Sequence, residues 1–314
     1  MFVMLMLLLL LATAASHNYN ASSSRDTNDD TIYNQEEFRS SLNACWTGSS
    51  CGKRVLVTSH GGDWDVRNPY DSMGAFQRAY DHGADAIKGD FRVSKDNIGM
   101  VIHSSPILLY ESPNCYNVQV EETSASDLQK CEMEVTDYTF MSVPNLLSWA
   151  DQKINVMLCV KESSDVSRAI STLIENNATT RAFLELSIGE MFNIEAQNIP
   201  GWDQVYYVVE LGNSNDVASA LAASTQLLSR MFLFEINAYY EDWPGPNELS
   251  VDIQAIHAAG IKTFTASKSN PVTSTVNNHL DMFNIGIDVA YTYNLGNAVD
   301  ARIQFNSQNN IAPP

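Results

Sequence analysis

The chain has 314 residues, with 18 Lys and Arg against 37 Asp and Glu, a formal net charge of −19, and a hydrophobic share of 45%. So acidic a surface repels polyphosphates and anionic membranes, which are bound through clustered cations; nucleic-acid binding is excluded, and any anionic ligand must be held by a local cationic pocket. The length and apolar content suit one large α/β domain.

The chain opens with an apolar run from Met1 to Leu11 followed by Ala12-Thr13-Ala14-Ala15. An apolar stretch ending in small residues reads as a secretory signal over 1–15, too short for a comfortable membrane span. No later segment is long and apolar enough for one, so a secreted, extracellular protein is expected. Residues 16–50 form a polar segment rich in Asn, Asp and Ser, unable to bury much surface, and 51–310 make up the folded domain. Asn20-Ala21-Ser22 and Asn177-Ala178-Thr179 are glycosylation sequons in a eukaryotic setting. Five cysteines in an oxidising compartment should mostly pair. Cys45 and Cys51 can close a small loop, and Cys115 and Cys131 bracket a polar, strand-poor insert. Cys159 is left over in a core strand.

From Cys51 onward, short apolar runs alternate with amphipathic stretches. Strands are predicted over 54–59, 86–91, 100–103, 154–161, 182–187, 205–211, 231–237, 262–267 and 287–293. Helices are predicted over 71–82, 165–176, 216–229, 248–259, 272–284 and 298–305, with Asp, Ser or Asn at their starts and Gly83 and Gly260 closing two of them. This alternation, without a Gly-rich phosphate loop, favours a single (β/α)8 TIM barrel over a doubly wound sheet. Barrel active sites lie at the C-terminal ends of the strands. His60, Asp90, His103 and Lys161 all fall at predicted strand ends. Lys88 and Asp90, two apart on one strand, share a face. If their strands are neighbours in one parallel sheet, two imidazoles, a carboxylate and ammonium groups converge on one pocket.

The text around these residues resembles the glycerophosphodiester phosphodiesterase family of phospholipase-C-like barrels. Ser59-His60-Gly61-Gly62 stands where that family has His-Arg-Gly, and Pro69-Tyr70-Asp71-Ser72 where it has Pro-Glu-Asn-Thr. Gly83-Ala84-Asp85 through Lys88-Gly89-Asp90 is similar to Gly-Ala-Asp followed by Glu-Leu-Asp, and Val101-Ile102-His103 to Val-Ile-His-Asp. Val143-Pro144-Asn145-Leu146-Leu147, Leu158-Cys159-Val160-Lys161 and the closing Gly260-Ile261-Lys262 and Gly286-Ile287-Asp288 extend the likeness over the whole barrel. The resemblance implies a phosphoric diester hydrolase acting on a small-molecule phosphodiester, with His60 and His103 as the acid/base pair. It also implies a Mg²⁺ or Ca²⁺ ion held by three carboxylates at positions 88, 90 and 159.

Here those positions are Lys88, Asp90 and Cys159, and only Asp90 is a carboxylate. The arginine that would grip phosphate is replaced by Gly61, and the glutamate of Pro-Glu-Asn-Thr by Tyr70; Lys161 is kept. One carboxylate beside an ammonium is a poor site for a hard divalent ion, which wants several oxygens. The expected chemistry is therefore phosphodiester hydrolysis or rearrangement by His60 and His103, with Asp90 beside them, Lys88 in the ion's place, and Lys88 and Lys161 holding the anion. Lysine grips phosphate as a point charge rather than a two-pronged clamp. A non-catalytic anion-binding barrel, or other histidine–lysine acid/base chemistry in the same pocket, are the alternatives. Glu185, Glu210 and Glu235 lie in later strands; Glu185 or Glu235 is expected to pair with Lys88, Lys161 or Lys268 across the mouth, with outward-facing charge or a relocated metal site as the alternatives, and Trp243 is expected on a loop at the pocket lip.

Overall fold

Eight of the apolar runs are parallel strands that close on one another. The computed structural model describes residues 54–134, 137–236, 246–266, 274–309 and 311. The proposed leader, the polar segment, the Cys45–Cys51 pairing, and the Trp243 and Lys268 expected at the mouth lie outside these residues. Strands β1 (Leu56–His60), β2 (Ala86–Val93), β5 (Asn155–Val160), β6 (Ala182–Ser187), β7 (Tyr206–Leu211), β8 (Met231–Ile236), β9 (Lys262–Ala266) and β10 (Val289–Thr292) pair in that order, and β10 pairs back onto β1. This is a (β/α)8 TIM barrel.

The pleat sorts the strand residues by parity. Leu56, Met157, Phe183, Val208, Leu233, Phe264, Val289 and Tyr291 face inward and fill the barrel with one apolar cluster. Their neighbours, such as Ile87, Leu158, Leu184, Val209 and Phe234, face outward into the larger core under the helices. Period-two alternation then dictates that the next inward positions, toward the C-terminal ends, carry His60, Lys88, Asp90, Cys159, Glu185, Glu210 and Glu235. An apolar floor with a polar mouth follows from the sequence alone once the parity is set.

The outer layer contains α1 (Met73–Asp81), α2 (Ala125–Leu128), α3 (Val143–Ala150), α4 (Val166–Glu175), α5 (Ile188–Gln197), α6 (Ser214–Leu221), α7 (Thr225–Leu228), α8 (Pro246–Ala258), α9 (Val276–Ile285) and α10 (Leu295–Gln308). The single helix expected over 216–229 is two. The Ser224 hydroxyl accepts from the Leu227 amide at 3.1 Å and starts a second helix where the first stops. Three helices escaped the sequence reading, α2, α3 and α5. The last of them is started by a capping box in which Ser187 and Glu190 satisfy each other's backbone donors. No helix among the described residues is long and apolar enough to cross a membrane.

The run holding His103 is not a barrel strand. Strand β3 (Gly99–Val101) pairs antiparallel with β2, and β4 (Met141–Ser142) pairs antiparallel with β3, so both lie outside the closed ring. His103 follows β3 and reaches the mouth from the side. Residues 102–140 form an insert with its own small core, including Ile102, Ile107, Leu128 and Phe140, stapled by a Cys115–Cys131 disulfide. The insert is therefore less polar inside than its composition indicates.

At the opposite end of the barrel, Asp85 accepts from the Val57 amide at 2.7 Å and pairs with Arg302 of α10 at 2.5 Å. Its carboxylate ties β1, β2 and the last helix together while almost fully buried. Asp85→Ala leaves a buried amide and a half-buried guanidinium unsatisfied, and is expected to lower stability by about 2–4 kcal/mol in urea unfolding. Asp85→Asn, which keeps the acceptor for Val57, should cost clearly less.

Candidate active site

His60 ends β1 inside a ring of aromatic side chains. Its imidazole centroid lies 4.4 Å from Tyr291, 4.4 Å from Tyr293 and 5.3 Å from Tyr70. Its Nδ1 is buried and has no hydrogen-bond partner among the described residues. Burial, reinforced by Lys88, Lys161 and His103, holds the imidazole well below the ordinary histidine pKa, so it stays neutral. A neutral imidazole of this kind is equipped to accept a proton or to attack.

His103 packs against the same tyrosine, 5.9 Å from the Tyr70 centroid and edge-on to it. Its Nδ1 lies 2.9 Å from the Ser104 hydroxyl and 3.6 Å from Glu111 Oε1. Glu111 also accepts from the amides of Ser104 and Leu108, which fixes the turn carrying the histidine. Both imidazoles thus pack against one phenol ring. That ring is held by a hydrogen bond from the Tyr70 hydroxyl to Asp90 Oδ2 at 3.0 Å. Burial, with Asp71 and Asp90 nearby, pushes the phenol well above its usual range, so it remains a donor.

Below the histidines the charged groups cancel in pairs. Lys88 Nζ lies 2.5 Å from Glu185 Oε1 and 4.5 Å from the centre of the Tyr291 ring. Lys161, just past the end of β5, pairs with Asp90 Oδ1 at 2.7 Å. Both lysines and both carboxylates are needed for this balance, since an unpaired charge is costly in a buried setting. Glu235 has no such partner. It is 5% exposed, its Oε2 has no hydrogen-bond partner among the described residues, and burial and Glu185 push its carboxyl well above the usual carboxylate range. Glu210, in register with Glu235 on β7, is pushed up to about 7 by burial and by Glu185. Asp71, whose Oδ2 accepts the Asp90 amide, is also driven well upward by burial and by Asp90.

The residues present do not fit the divalent ion that the resemblance implies. Lys88 places an ammonium at one ligand position, Cys159 a half-buried thiol raised well above its normal pKa by burial at another, and Asp90 is committed to Lys161 and Tyr70. Cys159, Glu185 and Glu210 bring one potential ligand atom each within 4.8 Å of one another. Glu185 of that group, however, already holds the Lys88 ammonium, which repels a second cation.

Of the sequence candidates, His60, Lys88, Asp90, Cys159 and Lys161 meet at the mouth from β1, β2 and β5, and His103 joins them from the insert. Glu185 supplies the partner for Lys88. Tyr291, Tyr293 and Glu111 were missed. Tyr291-Thr292-Tyr293 at the end of an apolar run was a legible signal, because residues two apart on the last strand face one pocket. Glu111, in a loop, had no comparable pattern.

Glu210 offers a test of this balance. A carboxyl whose folded pKa lies above its unfolded value costs stability as pH rises between the two. Glu210→Gln should therefore match the parent near pH 4 and become the more stable protein near pH 8, read as the difference in melting temperature.

Residues 65–292 match the sequence profile of the Glycerophosphoryl diester phosphodiesterase family. No curated protein sequence matches the chain. Among solved structures, a glycerophosphoryl diester phosphodiesterase from Parabacteroides distasonis is similar at a TM-score of 0.65 and 14% identity, over 86% of this chain and 92% of that one. A glycerophosphodiester phosphodiesterase from Thermotoga maritima is similar at 0.56 and 16%, over 79% and 98%. An Oleispira antarctica phosphodiesterase, solved with its product sn-glycerol-3-phosphate, is similar at 0.58 and 13%, over 79% and 96%. At these identities the structural likeness establishes the fold.

Proposed function

The chain belongs to the glycerophosphoryl diester phosphodiesterase family, and on that premise we propose that it cleaves a phosphodiester with its two histidines and without the divalent ion. The observation that carries the reading is the arrangement at the mouth. Two imidazoles pack against the same Tyr70 ring, while the positions that would hold a metal are neutralised internally by two lysine–carboxylate pairs.

His60 is the base or nucleophile. It is neutral, it is held by three tyrosines, and its basicity is lowered by the cations behind it, which a bound phosphate anion would offset. His103 is the acid that protonates the leaving oxygen. It is more exposed, and Glu111 stands 3.6 Å from its Nδ1. Lys161, partly exposed at the mouth, turns positive charge toward the phosphoryl oxygens, with Lys88 as a deeper contribution to the same field. The hydrogen bond from the Tyr70 hydroxyl to Asp90 fixes the ring against which both histidines pack. A Lewis acid would supply several kcal/mol of transition-state stabilisation, so two ammonium groups should support a slower reaction.

The test is hydrolysis or cyclisation of glycerophosphocholine by purified protein, followed by product analysis in excess chelator, with the metal content measured on the same sample. Turnover that persists in chelator, with no stoichiometric metal, is the expected result. Activity that disappears in chelator and returns with Mg²⁺ or Ca²⁺ rejects the metal-free reading.

A further inference from the structure

Ten large apolar side chains stand out as exposed among the described residues, and six of them lie on two loops at the mouth. Trp64 and Val66 are on the loop after β1, Val66 being 82% exposed. Leu108, Leu109, Tyr110 and Tyr116 are on the insert, with Leu109 at 60%. Both groups adjoin the reaction centre. The Trp64 ring lies 6.2 Å from that of Tyr70. The 108–111 turn is tied to His103 and Ser104 through Glu111.

The charge pattern of the insert is equally specific. From Ser104 to Gln119 the one ionisable acid or base among Asp, Glu, Lys, Arg and His is Glu111. Its side chain is only 9% exposed and is turned inward onto two backbone amides. In a protein of net charge −19, the insert side of the rim is thus an uncharged surface tipped with leucine and tyrosine, while on the other loop Asp63 and Asp65 are paired with Arg78. The Cys115–Cys131 disulfide and the small core beneath it hold that surface preformed. Clustered exposed apolar residues mark interaction sites. Tryptophan and tyrosine favour a boundary where one end is apolar and the other wet.

We propose that this rim seats on a zwitterionic lipid surface, so that the phosphodiester offered to His60 and His103 is one that carries a hydrocarbon chain. The inference rests on the two-histidine reading for the chemistry but names its substrate class from a separate surface. An anionic membrane is unsuited, because the net charge of the protein opposes it. A rim whose insert side is uncharged and whose other loop pairs Asp63 and Asp65 with Arg78 meets less such opposition at a zwitterionic headgroup layer.

The experiment uses the full chain and the double variant Val66→Ser, Leu109→Ser, both positions lying outside the reacting groups. Vesicles of pure phosphatidylcholine should co-sediment the parent, and the variant should bind about tenfold more weakly, as expected for two apolar side chains that no longer bury. In parallel, the parent should cleave lysophosphatidylcholine with a higher kcat/KM than glycerophosphocholine, and the variant should lose that preference while its rate on glycerophosphocholine stays unchanged. Absence of vesicle binding by the parent, or equal binding by parent and variant, overturns the proposal even if glycerophosphocholine is cleaved. Stronger binding to phosphatidylglycerol than to phosphatidylcholine overturns it as well. Vesicle binding that depends on Val66 and Leu109, with neither phosphodiester cleaved, supports the lipid-facing rim and rejects the two-histidine chemistry instead.

Discussion

Lys88→Met is expected to destabilise the protein by about 3–5 kcal/mol, the cost of removing one partner from a buried ion pair. The ammonium is 6% exposed and its partner Glu185 not at all. Methionine fills the volume but leaves Glu185 beside Glu210 and Glu235, three carboxyls with no nearby cation except Lys161. The Glu185 carboxyl would then be pushed upward by burial and its carboxyl neighbours, as that of Glu235 is. The sign of the pH dependence follows. A carboxyl with a raised folded pKa loses stability as pH climbs above its unfolded value of about 4.3, so the deficit of the variant should be smallest in acid and grow toward neutrality. The double variant Lys88→Met, Glu185→Gln should recover much of the loss, because it removes the orphaned charge. Urea unfolding at about pH 4 and about pH 7.5 for the parent, single and double variants measures both effects. A single variant as stable as the parent at neutral pH would show that the ammonium does not stand in for a cation at this position.

The barrel and the inward side of each strand were legible because parity is a local rule: once Met157 faces in, Cys159 must, and once Leu233 does, Glu235 must. What parity does not give is which inward groups meet. Lys88 finds Glu185 across ninety-seven residues of chain, and no spacing announces that choice over Glu235. The misplacement of His103 had a readable cause. Only residues 94–98 separate β2 from β3, too few for the crossover that a parallel neighbour needs, and Asn97 takes a left-handed turn conformation, φ 63°. A hairpin was the consistent reading.

Gly61 and Tyr70 show the opposite limit. Each is visible in the sequence as a departure from the family text, but their connection is not. Gly61 has φ +66°, and a Cβ built there would fall 2.0 Å from Tyr70 Cε2. The phenol occupies the space that a side chain at position 61 would need. Loss of the phosphate-gripping arginine and gain of the tyrosine are thus one coupled change in shape.

Replacing His60 tests the chemistry most directly. His60→Ala and His103→Ala are each expected to lower kcat/KM by about 10²- to 10⁴-fold, the usual contribution of a positioned acid or base. His60→Phe is the sharper variant, since it keeps a ring against Tyr291 and Tyr293 while removing both nitrogens. Because burial and the lysines hold His60 neutral, the acid limb of the parent's kcat/KM profile should lie below the ordinary imidazole range near 6.5. Lys161→Met removes one repelling cation and leaves Asp90 unbalanced, and both changes should move that limb to higher pH. Folding stability gives an independent reading of the same group. A histidine whose folded pKa is lowered binds fewer protons than the unfolded chain below about pH 6.5, so it costs stability as the solution becomes more acid. His60→Phe should therefore gain stability relative to the parent between about pH 6.5 and pH 5 while losing turnover. If the variant is inactive but shows no such gain, His60 is not the neutral buried base; if it remains active, the two-histidine mechanism fails outright.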